Sequence, residues 1–188
     1  TQAPDLKSPY PLPPILPPGE HPRVFLRPEH LPMLRARLEH PFLAQEYREL
    51  RITADREWDG VFPTPANALK GNYQDRLLSI IEANALLGLL EEDEARGQRA
   101  VTMLSRALDT VMVADRHDVT RDYGRIILCA SLVYDWCYSL TDKGWREAVL
   151  QHMIAFAMIT EIGFPPKGQG AVTGHGSEAQ LMREQLAA

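Results

Sequence analysis

Two stretches of the chain, residues 73–90 and 123–140, are apolar on nearly every helical face, and each is followed by a stretch that is apolar on one face only. In the first, Leu77, Leu78, Ile80, Ile81, Ala83, Ala85, Leu86, Leu87, Leu89 and Leu90 leave no continuous polar side. A helix so composed has to be enclosed by other elements. Residues 92–113 differ: Val101, Leu104, Leu108 and Val111 share one face, while Glu92, Glu94, Arg96, Arg99 and Arg106 spread over the rest, so one side meets solvent. The alternation then repeats. Residues 123–140 carry Ile126, Ile127, Leu128, Ala130, Leu132, Val133 and Trp136 on all sides, and residues 141–162 are amphipathic, with Thr141 predicted as their N-cap. Inner and outer helices joined by short connections predict an all-α fold of antiparallel helical hairpins. Stacked hairpins make either a superhelical array or a closed (α/α) toroid, and periodicity alone does not choose between them. The chain shows no self-similarity at a fixed period, unlike the common helical repeat families.

A chain of 188 residues with 45% hydrophobic content is long enough for one globular unit with a genuine core. Its formal charge of -5 and pI near 5.7 argue against nucleic acid as a partner. Phosphate neutralisation calls for a basic face, and the only dense basic run is the short one from Arg35 to Arg37. The longest apolar stretches are broken by Glu82, Glu91 or Asp135, below the roughly 18 uncharged residues of a membrane span, so no membrane insertion is predicted. Cys129 and Cys137 stand eight apart on one predicted helix, about 12 Å along its axis, too far for a direct bridge. Both read as buried thiols.

Prolines crowd residues 1–21, most densely at 9–18, which favours extended polyproline-like chain over helix. We expect residues 1–22 to form an extended Pro-rich arm and residues 23–188 the helical domain. A start at Thr1, with no charged and apolar leader, suits a mature secreted protein or a chosen boundary equally well. Pro28 is placed to open a helix through Leu31, Leu34 and Leu38 as far as His40. Pro41 opens another running towards Trp58, with Asp59 and Gly60 as its stop. A Gly-rich loop at 163–176 precedes a last predicted helix from Ser177 to the end. Two full hairpins are too few to close a toroid, so the remaining helices are expected beyond Ala188.

The richest chemistry lies near the C-terminus. Gly168, Gly170, Gly174 and Gly176 let backbone approach a ligand just before a helix start. His175 and Glu178 are three apart, a spacing at which a carboxylate can orient an imidazole and favour its charged form. The alternative is structural: Ser177 as N-cap, Glu178 in the first turn and His175 as a plain loop residue. A second polar loop, 115–123, gathers titratable groups between an outer and an inner helix, and His117, Arg121 and Tyr123 are its candidate substrate contacts. Its structural alternative is a solvated connection in which Thr120 or Asp122 caps the next helix. His21, His30, His40 and His152 have no paired metal spacing, so no metal and no cofactor is predicted. There is no phosphate-binding loop, nucleophile elbow or dinucleotide fingerprint. Trp136 and Tyr138 have the rings to stack on a sugar, but on an all-apolar helix core packing is the expected use.

Three stretches resemble the N-terminal region of the heparinase II/III-like polysaccharide lyases. They are HPRVFLRPE at 21–29 leading into Leu31, Tyr134-Asp135-Trp136 followed by Leu140-Thr141-Asp142, and Gly174-His175-Gly176-Ser177-Glu178. The first two are structural signatures and the third matches a His-x-x-Glu site. The resemblance implies part of an (α/α) toroid and β-elimination on a uronic-acid-containing glycan. Neutralising the uronate carboxylate acidifies the C5 proton, a base removes it, and the 4-linked oxygen leaves with a proton from a general acid. His175 carries over to the histidine near the carboxylate and Glu178 to its supporting glutamate. The family's catalytic tyrosine and second histidine are expected beyond Ala188, and none of Tyr123, Tyr134 or Tyr138 replaces that tyrosine.

The expected function is therefore the N-terminal fragment of a periplasmic or secreted lyase acting on an acidic polysaccharide, inactive alone and prone to self-association through its incomplete toroid edge. Net acidity points to less charged uronates rather than heavily sulfated ones. The rival expectation is a helical glycan-binding or protein-interaction module without chemistry. An (α/α) glycoside hydrolase needs a second acid across the cleft, and Glu178 has no convincing partner.

Overall fold

The computed structural model describes residues 18–58, 73–110 and 119–159. Within them six helices pack together and no strand occurs, so the fold is all-α. They are α1 (Leu31–Arg37), α2 (Ala44–Asp55), α3 (Tyr73–Glu91), α4 (Glu94–Thr110), α5 (Val119–Trp136) and α6 (Lys143–Ile159). Single 3-10 turns precede α1 (Pro28–His30) and follow α5 (Tyr138–Leu140).

The all-round apolar helix α3 is the centre of the molecule and touches α1, α2, α4 and α5. Leu77, Leu78, Ile80, Ile81 and Leu87 are essentially inaccessible, and each such burial contributes about 1.5–3 kcal/mol relative to exposure. The second inner helix, α5, packs on α3, α4 and α6 through Tyr123, Ile126, Ile127, Cys129, Ala130 and Val133. The amphipathic α4 buries Gly97, Ala100, Val101, Leu104, Ala107 and Leu108, one face at helical spacing, and leaves Gln98, Thr102, Arg106 and Asp109 exposed. Among the described side chains of α6, Val149 and Phe156 are the buried ones, seven residues apart, with Trp145 and Met153 half-buried against the same core.

Hairpin α3–α4 thus stacks on hairpin α5–α6, inner helix on inner and outer on outer. Polar ties join the layers. Arg125 of α5 pairs bidentately with Glu82 of α3, Nη2 donating to Oε2 at 2.6 Å. Trp145 Nε1 of α6 donates to Ser105 Oγ of α4 at 2.8 Å.

The α3–α4 connection is only two residues long. Glu92 adopts left-handed backbone at φ 58°, and the Asp93 N–H closes the end of α3 on the Gly88 carbonyl at 3.0 Å. The Asp93 carboxylate then caps α4, accepting the N–H groups of Ala95 and Arg96 at 3.0 and 3.1 Å. Glu92 therefore lies outside the helix it was expected to begin. So tight a return brings the two backbones together. A Cβ placed on Gly88 would lie 2.7 Å from the Gly97 nitrogen, closer than real contacts allow.

Several expected helix limits shift, each for a local reason. The helix expected from Pro41 to Trp58 is shortened to Ala44–Asp55, because side chains from two neighbours take its last carbonyls. Asn84 Nδ2 and Arg99 Nη1 donate to the Ala54 carbonyl at 2.9 and 3.1 Å, and Arg99 Nη2 donates to that of Arg56 at 2.7 Å. The α6 N-cap is Asp142, not Thr141: Asp142 Oδ1 accepts the Trp145 N–H at 2.7 Å, while the Thr141 hydroxyl turns back to the Tyr138 carbonyl at 3.1 Å. Helix α5 runs Val119–Trp136, which places Thr120 and Asp122 in its first described turn. The expected stop at Asp59-Gly60 and the last predicted helix lie outside the described residues.

Candidate functional site

An acidic residue on an enclosed apolar helix has to find donors, since an unpaired buried carboxylate is costly. Asp135, one residue before the end of α5, is 2% exposed. Its donors come from the opposite end of the sequence. Oδ2 accepts the backbone N–H groups of Arg23 and Val24 at 2.7 and 2.8 Å. The His21 imidazole Nδ1 donates to Oδ1 at 2.5 Å. The chain is turned to reach this position: Phe25 is in left-handed backbone at φ 61°, and the Leu26 N–H closes on the Val24 carbonyl at 2.7 Å. Next along α5, Trp136 Nε1 donates to that same Val24 carbonyl at 3.2 Å.

Aromatic rings complete the clasp. His21 stacks on Tyr138 with centroids 3.7 Å apart and planes 6° from parallel. Tyr134 meets Tyr138 edge-on at 5.8 Å, and the Arg146 guanidinium lies 4.3 Å from the Tyr138 centroid. Arg146 also donates from Nη1 to the carbonyls of Tyr138 and Thr141, tying the 3-10 turn to α6. Arg23 reaches back to the Pro18 carbonyl at 2.9 Å. Chemically this holds an imidazole in one tautomer and one plane by a carboxylate that is itself fixed by two amides. Its immediate effect is anchorage, joining residues 18–26 to the C-terminal end of α5.

The candidate residues fall in different places. His175, Glu178 and His117 lie outside the described residues. Arg121 stands in the first turn of α5. Tyr123 is 4% exposed and stacks on Phe156 across the α5–α6 contact, centroids 5.5 Å apart, so its ring offers almost no surface to a ligand. Trp136 packs against the core, whereas Tyr138 is half-buried outside it with its ring stacked on His21. Cys129 and Cys137 are free and buried, as read from their spacing. Burial raises the Cys129 thiol well above its ordinary range and pushes Cys137 up to about 12, which leaves both unreactive.

The clasp itself was missed in the sequence. His21 and Asp135 stand in two separate structural signatures of the resemblance, His21 otherwise weighed as a metal ligand and Asp135 as a break in an apolar run, and nothing paired them, although that carboxylate on an apolar helix was the signal that a distant donor existed. A cavity of about 290 Å³ beside the Gly88–Gly97 crossing holds Arg35, whose Nε and Nη2 donate to the Leu90 and Leu89 carbonyls at 3.0 Å while Nη1 pairs with Glu92 at 2.8 Å. Its guanidinium is fully engaged in joining α1 to the end of α3. Among the described residues no three metal-ligating side chains converge, and no helix is long and apolar enough to cross a membrane. No protein-family model matches the chain, and no curated protein matches it.

Proposed function

We propose that this chain is the N-terminal part of the helical domain of a polysaccharide lyase of the heparinase II/III-like kind, secreted or periplasmic, acting by β-elimination on a uronic-acid-containing glycan. The observation that carries this reading is the clasp. Two of the three stretches that resemble the family, HPRV at 21–24 and Tyr134-Asp135-Trp136, are more than a hundred residues apart, yet they form one hydrogen-bonded unit around Asp135. Signatures that interlock physically support a shared structural origin better than scattered matches do. The stacked hairpins are also the repeating step of an (α/α) toroid.

In this reading His175 lies near the substrate carboxylate and Glu178 orients it, with Arg121 and His117 lining the approach. Tyr123 sets α5 against α6 rather than touching sugar. The tyrosine that abstracts the C5 proton and a second histidine come from chain beyond Ala188, so the segment alone does not turn over. A second reading, a helical interaction module without chemistry, draws on the exposed apolar side chains Phe42, Ile52, Leu150 and Met158.

The test is ultraviolet absorbance of the conjugated unsaturated uronate on a panel of uronate glycans, using this chain and a version extended at its C-terminus. Product from the extended version alone supports the lyase reading. Product from neither favours the interaction module. Product from this chain alone means that the catalytic base lies within it.

A further inference from the structure

We propose that the groove between α2, α3 and α5 is a binding site for a small organic cation with an apolar body, of the alkylammonium class. The groove is open to solvent along one side and has a volume of about 490 Å³, within the range of about 300–1,000 Å³ usual for small-molecule sites. Its floor is apolar, built from Leu50, Ala83, Leu86, Leu132 and Trp136. Its rim is acidic, with Glu46 and Glu49 on α2 and Glu82 on α3, and none of the described residues lining it is basic.

The three carboxylates are not equivalent. Glu82 is held by Arg125 in the bidentate pair, so its charge is balanced from the α5 side. Glu46 and Glu49 are exposed, stand one turn apart on α2, and form no ion pair with another described residue. Like charges at that spacing repel, and a cation seated between them removes the repulsion while gaining two attractions. An alkyl chain then covers the floor, which water solvates poorly. The hydroxyls of Thr53 and Ser79 line the same groove and can accept from an ammonium head. An anionic ligand meets the opposite field, so this groove is not where a uronate carboxylate binds. The inference goes beyond the lyase reading and does not rest on it.

The experiment titrates the whole chain with n-hexylammonium, hexanol and hexanoate, following backbone amide shifts by NMR. Hexylammonium is expected to move amides of α2, α3 and the end of α5, and to bind about tenfold more tightly than hexanol, the scale set by two partly exposed ion pairs. The exposed double variant Glu46→Gln/Glu49→Gln is expected to remove that advantage while leaving hexanol affinity unchanged, and added salt is expected to weaken only the ammonium. Hexanoate or hexanol binding as tightly as hexylammonium overturns the proposal. So does an unchanged ammonium affinity in the double variant, or shifts confined to other surfaces.

Discussion

The molecule closes its chain in two contrasting ways, at the α3–α4 junction and at the Asp135 clasp. At the junction the turn itself is local: Gly88, Glu92 and Asp93 act on residues within a few positions, two residues reverse the chain, and Arg35 only braces the result from outside. At the clasp a single buried carboxylate gathers three donors from residues 111 to 114 positions earlier. Local closure relies on backbone geometry and small residues, and it tolerates loss of one cap. Distant closure relies on a desolvated charge, so it fails sharply when its centre is removed.

That contrast orders the expected effects. Asp135→Ala strands the imidazole and two amides in a buried setting, and we expect a loss of about 3–5 kcal/mol in denaturant unfolding. A loss under about 1 kcal/mol there would make the clasp no stronger than a surface ion pair. Gly88→Ala drives a methyl into the Gly97 backbone, and we expect about 1–3 kcal/mol from overpacking. If Gly88→Ala costs more than Asp135→Ala, the ranking of the two closures is reversed. Asp93→Ala removes one capping carboxylate, for which about 1 kcal/mol is expected by thermal unfolding.

The smallest effect concerns pH. Tyr47 of α2 donates its phenol hydrogen to Glu91 Oε1 at 2.5 Å, close to the junction. Burial, and then the Glu91 carboxylate, raise its pKa above the ordinary 10.0. The folded state therefore holds this proton more tightly than the unfolded state. Its stabilising contribution is fully present below pH 10.0 and is lost as the pH rises through the higher folded value. Tyr47→Phe should flatten that alkaline loss in melting curves, and an unchanged slope would place its origin elsewhere.

What the sequence disclosed follows the same division. The enclosed character of α3 and α5 and the one-sided character of α4 were legible, because Leu77 to Leu90 and Val101 to Leu108 carry the period of their own surroundings. Caps were legible only as residue types. Thr141 and Asp142 are both good caps, and which one serves depends on the Thr141 hydroxyl being taken by Tyr138. The pairing of His21 with Asp135 was not legible as a pair, since nothing local to either residue specifies the other. Only the misfit of a carboxylate on an apolar helix pointed beyond itself. The residues proposed to meet substrate at 174–178 carry their signal in glycine spacing and lie outside the described residues, so their arrangement rests on the resemblance.

The clasp is tested most directly by amide hydrogen exchange at Arg23 and Val24 in the unaltered protein. Both N–H groups donate to a carboxylate that is 2% exposed, so they should exchange as slowly as core amides of α3 and lose that protection in Asp135→Ala. Fast exchange at both positions in the unaltered chain would contradict the account, leaving residues 18–26 unanchored and removing the observation on which the proposed family reading stands.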